Sequence, residues 1–381
     1  MQEYNKEKID EKVKEDIEGW LKAGNKPSVL ICGMTGSGKT SFTLLHVFAN
    51  EGLKVGENTE PCTRDIVKYP GEHINIYDSE GYETGSDKQA HYREMLIEEF
   101  LKNPSKQGPD GLQAVWYTID GSGKRVTNLD FDLIKEIQGL GFPVCVLITK
   151  LDTLTDRQYN ELTEAIRSNV EVPIFAVSTR EPLVHQCDSE QLIDWTYNVM
   201  PESFRRRFIF SLKEGLLPKE KEARKAAWIA TALAAAYAAT PVPFAQAPGL
   251  IGIQTLLIYK ILRIYNISVA VGTITGLLGS LSVAQAGRAL AGELIKFFPG
   301  AGSIIGGMLN ASVAAAFTYA IGEALIALCA KQATQMLKGE PVTIDLEKIL
   351  GSKEFISQIT AIYKQKKAHI LDEIKENKKN A

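Results

Sequence analysis

The apolar run Val29-Leu30-Ile31-Cys32 leads directly into Gly33-Met34-Thr35-Gly36-Ser37-Gly38-Lys39-Thr40, and Phe42, Leu44, Leu45, Val47 and Phe48 continue at amphipathic spacing. The octet fits Gly-x-x-x-x-Gly-Lys-Ser/Thr, a pattern that needs a strand before it and a helix after it. That context narrows the first half of the chain to an α/β fold in which a glycine-rich turn joins a buried strand to a helix. Glycines let backbone N–H groups crowd around a polyphosphate, and the helix N-terminus adds partial positive charge. Lys39 would reach the outer phosphates, the Thr40 hydroxyl would ligate Mg²⁺, and Ser41 completes the run of candidate binding residues.

Two further motifs follow in the order such a site requires. The alternating stretch His73-Ile74-Asn75-Ile76-Tyr77 reads as a strand and ends in Asp78-Ser79-Glu80-Gly81. An Asp at that place holds Mg²⁺ in phosphate-loop proteins, and Gly81 offers its backbone N–H to a γ-phosphate without a side chain in the way. The buried-looking strand Pro143-Val144-Cys145-Val146-Leu147-Ile148 is followed by Thr149-Lys150-Leu151-Asp152. The Asp152 carboxylate can accept from guanine N1–H and N2–H₂, a donor pair that adenine lacks, so this segment favours GTP and GDP over adenine nucleotides. Lys150 can lay its alkyl stem along the base.

On these residues the stretch from Ser28 to Met200 resembles a translation-factor-class GTPase of the Era-like group. Thr149 stands where such proteins usually carry Asn, and similar Thr-Lys-x-Asp forms are found among the immunity-related GTPases. The resemblance implies that Thr63, preferred to Thr59, closes over the γ-phosphate and completes the Mg²⁺ shell. It also places Ser178 and Thr179, after Pro173-Ile174-Phe175-Ala176, beside the guanine oxygen. The Gln that often follows Asp-x-x-Gly and orients the attacking water is replaced by Tyr82. Slow intrinsic hydrolysis is therefore expected, aided by a partner or a homodimer of the GTPase domain, and no residue is assigned as catalytic base. Lys124 and Arg125 are the loop cations available to such a dimer, although a solvated loop accounts for them more simply.

A length of 381 residues suits two domains. The net charge of −3 argues against nucleic acid as the main partner. Five cysteines without C-x-x-C spacing indicate neither a disulfide framework nor a zinc site. Alternating strands and helices after the phosphate loop predict a mostly parallel sheet covered on both faces, with its motifs gathered at the carboxyl edge.

The chain reads as an amphipathic helix over 1–25, with Ile9, Val13, Ile17 and Leu21 at helical spacing, then a GTPase domain over 26–203 and a charged linker over 204–225. An Ala/Gly-rich all-α domain is expected over 226–335, and an amphipathic helix from Phe355 to Ile374 with a polar tail within 336–381. Uncharged runs over 226–259, 264–287 and 297–322 each exceed the ~20 residues that span a bilayer. Gly272-Thr273-Ile274-Thr275-Gly276 and Gly302-Ser303-Ile304-Ile305-Gly306 allow close helix contact in lipid. Insertion or hairpin association through 226–330, at the cytoplasmic face, is favoured over a soluble Ala/Gly bundle. This half, with Pro241-Val242-Pro243, Pro248-Gly249 and Pro299-Gly300-Ala301-Gly302, resembles the uncharacterised membrane-predicted domain fused to bacterial Era-like GTPases. Gly249-Leu250-Ile251-Gly252 mimics an RNA-clamping loop but lacks basic neighbours. The expectation is a GTP switch working through the helical domain. A self-assembling dynamin-like or scaffold GTPase, and a ribosome-assembly factor, are the alternatives.

Overall fold

The computed structural model describes residues 6–53, 60–61, 66–83, 85–108, 111–123, 125–180, 187–213, 215–239, 246–267, 269–275, 278, 311–337 and 352–379. The chain divides into two compact units, Gly24–Pro218 and the combination of Met1–Ala23 with Lys219–Ala381.

In the first unit, β1 (Ser28–Gly33) is buried at every residue because neighbours cover both its edges and helical layers cover both its faces. Next come β2 (Glu60–Pro61), β3 (Ile66–Pro70), β4 (Asn75–Ser79), β5 (Ala114–Asp120), β6 (Val144–Thr149) and β7 (Ile174–Ala176). The sheet order is β2-β3-β4-β1-β5-β6-β7. From β4 to β7 every pairing is parallel, whereas β2·β3 and β3·β4 are antiparallel. The parallel registers bring the ends of β1, β4, β5 and β6 to one edge of the sheet. All three sequence motifs therefore meet there.

The α/β class and the carboxyl-edge placement agree with expectation. The strand expected from His73 runs instead from Asn75 through Ser79, so Asp78 lies inside it, paired to β3 and β1. Tyr77 and Ser79, on either side of Asp78, face α2 (Ser86–Arg93), which widens into an i→i+5 turn over Glu94–Leu101. Helix α3 (Asn128–Gly139) begins at a capping box made by Thr127 and Asp130, and α4 (Asp156–Arg167) at one made by Thr155 and Gln158.

The unit closes with α5 (Ser189–Val199) and α6 (Glu202–Ser211). Residues 204–211, expected to open a charged linker, are core helix. Phe204 and Phe208 stand at i and i+4 and are fully buried, and Phe208 meets Phe48 edge-on at 6.1 Å between ring centroids. Burying each ring contributes about 1.5–3 kcal/mol. The charge that suggested a linker is used locally: Arg205 Nε donates to the carbonyls of Tyr197 and Met200, capping the end of α5.

Every described element of the second unit is a helix, as its composition predicts. Helix α1 (Lys6–Lys22) buries Val13 and Ile17 against Val271, with Leu256 and Tyr259 beside them. Helices α7 (Leu216–Ala238), α8 (Gln246–Ile264) and α9 (Ala311–Leu337) pack through small side chains. Ala234, Ala238, Leu250 and Ala314 form one cluster. A Cβ on Gly322 would stand 2.8 Å from that of Ala227, so α9 and α7 approach as closely as glycine allows. Among the described residues one helix, Ala311–Gln335, is long and apolar enough to cross a membrane, and 72% of its most apolar window is buried within the fold. Half of 264–287 and all of 297–310 lie outside the described residues, including Gly276, Gly302 and Gly306. The single helix expected from Phe355 to Ile374 is two, α10 (Lys353–Lys366) and α11 (Ile370–Lys379), tied by Lys366 to Glu373 at 2.7 Å.

Candidate nucleotide site

The turn after β1 is shaped by positive φ at Gly33 (130°), Gly36 (74°) and Gly38 (82°). A Cβ on Gly33 would lie 2.2 Å from the Thr118 carbonyl oxygen, so β5 forbids any side chain there. Gly36 and Gly38 face open space, as a backbone that must meet a ligand should. Ser37 is fully buried beneath them, its hydroxyl 2.8 Å from that of Thr118, which in turn donates to Cys32 O. Thr35 donates its N–H to Tyr82 O at 3.0 Å and its hydroxyl to Glu80 O at 3.3 Å. Ser41 is exposed at the start of a helix in which Phe48 N–H reaches Thr43 O.

Lys39 is 5% exposed, and its ammonium donates to Met34 O at 2.9 Å, with Gly33 O and Glu80 O at 3.5 Å. Burial pulls its pKa down, opposed by the nearby Asp78 carboxylate. The ammonium is thus desolvated and aimed across the loop before any phosphate arrives.

Thr40 donates its hydroxyl to Asp78 Oδ2. Burial pushes the Asp78 carboxyl up, opposed by the Thr40 hydrogen bond and by Lys39. The other oxygen, Oδ1, is buried and has no hydrogen-bond partner among the described residues. A hydroxyl and an orphaned carboxylate oxygen side by side are the hard oxygen donors that Mg²⁺ prefers, so the residues present fit that ion. Gly81, at φ 91°, lies against the phosphate loop and Lys39; a Cβ there would be 2.6 Å from Lys39 Nζ and 2.5 Å from Gly33 O. Thr63, expected to complete the shell, lies outside the described residues.

At the far end of the edge Asp152 is held by a neighbour that sequence placed only approximately. Ser178 donates its hydroxyl to Asp152 Oδ1 at 2.7 Å and accepts the Arg180 N–H at 3.1 Å. Arg180 Nη1 stands 3.4 Å from Asp152 Oδ2. Thr149 is buried and spends its hydroxyl on Ile119 O at 3.2 Å, bracing β6 to β5. Lys150 adopts left-handed φ 53° and its ammonium meets Asp120 Oδ2 at 2.8 Å. Burial raises the Asp120 carboxyl, but hydrogen bonds from Lys150 and Ser122 outweigh it and hold the group below the usual range. Thr179 is exposed beside this cluster.

Beneath the loop lies a buried network that the motifs do not signal. Gly33 N–H donates to the Tyr92 phenol at 3.1 Å, and that phenol is 2.9 Å from Ser79 Oγ. Tyr82 and Tyr117 both donate to Asp130 Oδ1, at 2.6 and 2.8 Å. Asp130 Oδ2 accepts the Thr127 N–H and hydroxyl, each at 2.8 Å. All three tyrosines are 3% exposed or less.

No protein-family model and no curated protein matches the chain. Solved structures are similar to part of it. A probable GTP-binding protein EngB shares 16% identity over 45% of this chain and 98% of its own, with a TM-score of 0.33. An Aquifex aeolicus Era variant bound to GDP·AlF4⁻ shares 18% over 54% of this chain and 68% of its own, at 0.31. The FeoB G-domain of Methanococcus jannaschii shares 9% over 45% of this chain and 98% of its own, at 0.28.

Proposed function

We propose that this chain binds GTP with Mg²⁺, hydrolyses it slowly, and uses nucleotide state to alter how its helical unit meets a membrane or a protein partner. The observation that carries the reading is the convergence, at one sheet edge, of the Lys39 ammonium, the Thr40–Asp78 oxygen pair, the Gly81 backbone and the Ser178-held Asp152 carboxylate. Those groups match a triphosphate at one end and a guanine at the other.

Each residue has a defined task. The amides following Gly36 and Gly38 and the Lys39 ammonium bind and orient the phosphates. Thr40 and Asp78 hold Mg²⁺, which when bound neutralises charge on the phosphate oxygens. Asp152, already fixed by Ser178, accepts from the guanine edge. Hydrolysis is slow in this reading because Tyr82, standing where a water-orienting side chain is expected, turns its phenol into the core toward Asp130. The carboxylate after it, Glu83, is exposed and paired with Lys88.

Titration of full-length protein with fluorescent GTP, GDP and ATP, with and without Mg²⁺, tests the reading. Mg²⁺-dependent guanine binding with weak ATP binding supports it; equal binding of ATP and GTP defeats the base assignment. A hydrolysis rate per molecule that rises with protein concentration would support assistance by a homodimer.

Membrane association at the cytoplasmic face is suggested by the apolar composition of 226–330 and by one helix that, among the described residues, is long and apolar enough to span. Its test is sedimentation with membranes after an alkaline carbonate wash. Retention of full-length protein supports embedding, and release directs attention to a protein partner.

A further inference from the structure

We propose that Tyr82 is a positioning residue that fixes the Gly81 backbone over the phosphate loop, so that the triphosphate is recognised by a preset amide rather than by a swinging arm.

Three observations carry this. First, the main chain of Tyr82 is paired to the loop: Thr35 N–H donates to Tyr82 O at 3.0 Å, and Met34 and Tyr82 form an isolated parallel bridge. Second, the side chain points the opposite way and is anchored. It is 3% exposed, lies against Tyr92 with 5.7 Å between ring centroids, and donates to Asp130 Oδ1 at 2.6 Å. Burial and the adjacent Asp130 carboxylate both raise the phenol's pKa, keeping it protonated and able to donate. Third, Gly81 has no slack. A Cβ on it would meet Gly33 O, Lys39 Nζ and Thr35 N at 2.5–2.7 Å. The residue preceding an anchored Tyr82 therefore sits directly above the ammonium that binds the outer phosphates.

Asp130 is suited to this role because it does not depend on Tyr82. Its second oxygen is saturated by Thr127, and its first also receives the Tyr117 phenol. Removing the Tyr82 hydroxyl leaves the carboxylate bonded, so Tyr82→Phe should fold. Tyr117→Phe deletes the other phenol from the same oxygen, but Tyr117 lies on β5 and has no main-chain link to Gly81. The two variants remove equivalent hydrogen bonds and differ in what the bond positions.

The inference rests on the proposed GTP site, and the experiment separates the two. Affinities of full-length wild type, Tyr82→Phe and Tyr117→Phe are measured for GTPγS and for GDP, each with Mg²⁺, beside their melting temperatures. The expected result is a roughly tenfold fall in the GTPγS-to-GDP affinity ratio for Tyr82→Phe, as for a lost hydrogen-bonded constraint of about 1.4 kcal/mol. Tyr117→Phe should lower the melting temperature comparably and leave the ratio unchanged. If the ratio is unchanged in Tyr82→Phe, or falls equally in both variants, the phenol is only part of the core and the proposal is overturned. If wild type binds neither nucleotide, the GTP reading fails and takes this inference with it.

Discussion

The hydroxyl of Thr40 donates to one oxygen of Asp78, while the other oxygen of that carboxylate is buried and makes no hydrogen bond among the described residues. A half-satisfied buried charge is a defect in an isolated fold and an asset in a site that awaits a cation.

Replacing that charge should therefore stabilise the nucleotide-free protein and disable the site. Asp78→Asn is expected to raise the melting temperature without Mg²⁺ by ~2–4 °C, as for about 1 kcal/mol, while removing Mg²⁺-dependent GTP binding. The pH dependence has a definite sign. Burial raises the Asp78 carboxyl above 3.8, so between that value and the raised one the folded state binds more protons than the unfolded. The advantage of Asp78→Asn should be full above the raised pKa and shrink as pH falls toward 3.8. Calorimetry across that range checks it; a gap independent of pH would remove Asp78 ionisation as the cause.

Base selectivity should follow the Ser178–Asp152 pair. Asp152→Asn exchanges an acceptor for a group that can also donate, which suits xanthine, whose C2 carbonyl replaces the guanine amino group. Loss of GTP binding with gain of xanthosine triphosphate binding is expected. Ser178→Ala should weaken GTP about fivefold, the worth of one net hydrogen bond of about 1 kcal/mol. Competition titrations read both, and an Asp152→Asn protein that keeps its GTP affinity would remove Asp152 from the base site.

The phosphate loop's glycines should differ in kind. Gly33→Ala drives a Cβ into the Thr118 carbonyl at φ 130° and should destabilise the fold by about 3 kcal/mol. Gly36→Ala meets open space and bears only the backbone penalty of its φ of 74°, about 1 kcal/mol. Chemical denaturation of the two variants should rank them in that order.

In the helical unit, Gly322→Leu places a branched side chain where even a Cβ would be 2.8 Å from Ala227. Overpacking of this kind destabilises by about 1–3 kcal/mol. Loss of helical circular dichroism at a lower temperature than wild type is the expected readout, and an unchanged transition would show that α7 and α9 can separate without penalty.

The phosphate loop, Asp78, Gly81 and Asp152 were legible because their chemistry is local: a short pattern sets the backbone and names the donors. Tyr92 and Thr118 were not, since each acts on Gly33 or Ser37 from another element, and a Tyr on a helix or a Thr in a strand reads as ordinary core. Tyr82 stands out in the sequence for what it replaces, yet no local pattern joins it to its partner Asp130, 48 residues further on. Thr149 followed the motif in position, but burial turned its hydroxyl to β5. Phe204 and Phe208 carried a helical signal that the adjacent arginines masked. The break between α10 and α11 had no glycine or proline to announce it.

Lys150 holds a left-handed backbone that glycine adopts without penalty, at a turn where its ammonium is committed to Asp120. A β-carbon in that conformation costs roughly 1–2 kcal/mol. Lys150→Gly would relax the main chain and surrender the ion pair, so two effects on stability oppose each other at a single position. The tension marks the turn as one where the identity of the side chain outranks the comfort of the chain, and it can be found by measuring torsion angles alone, before any nucleotide is added.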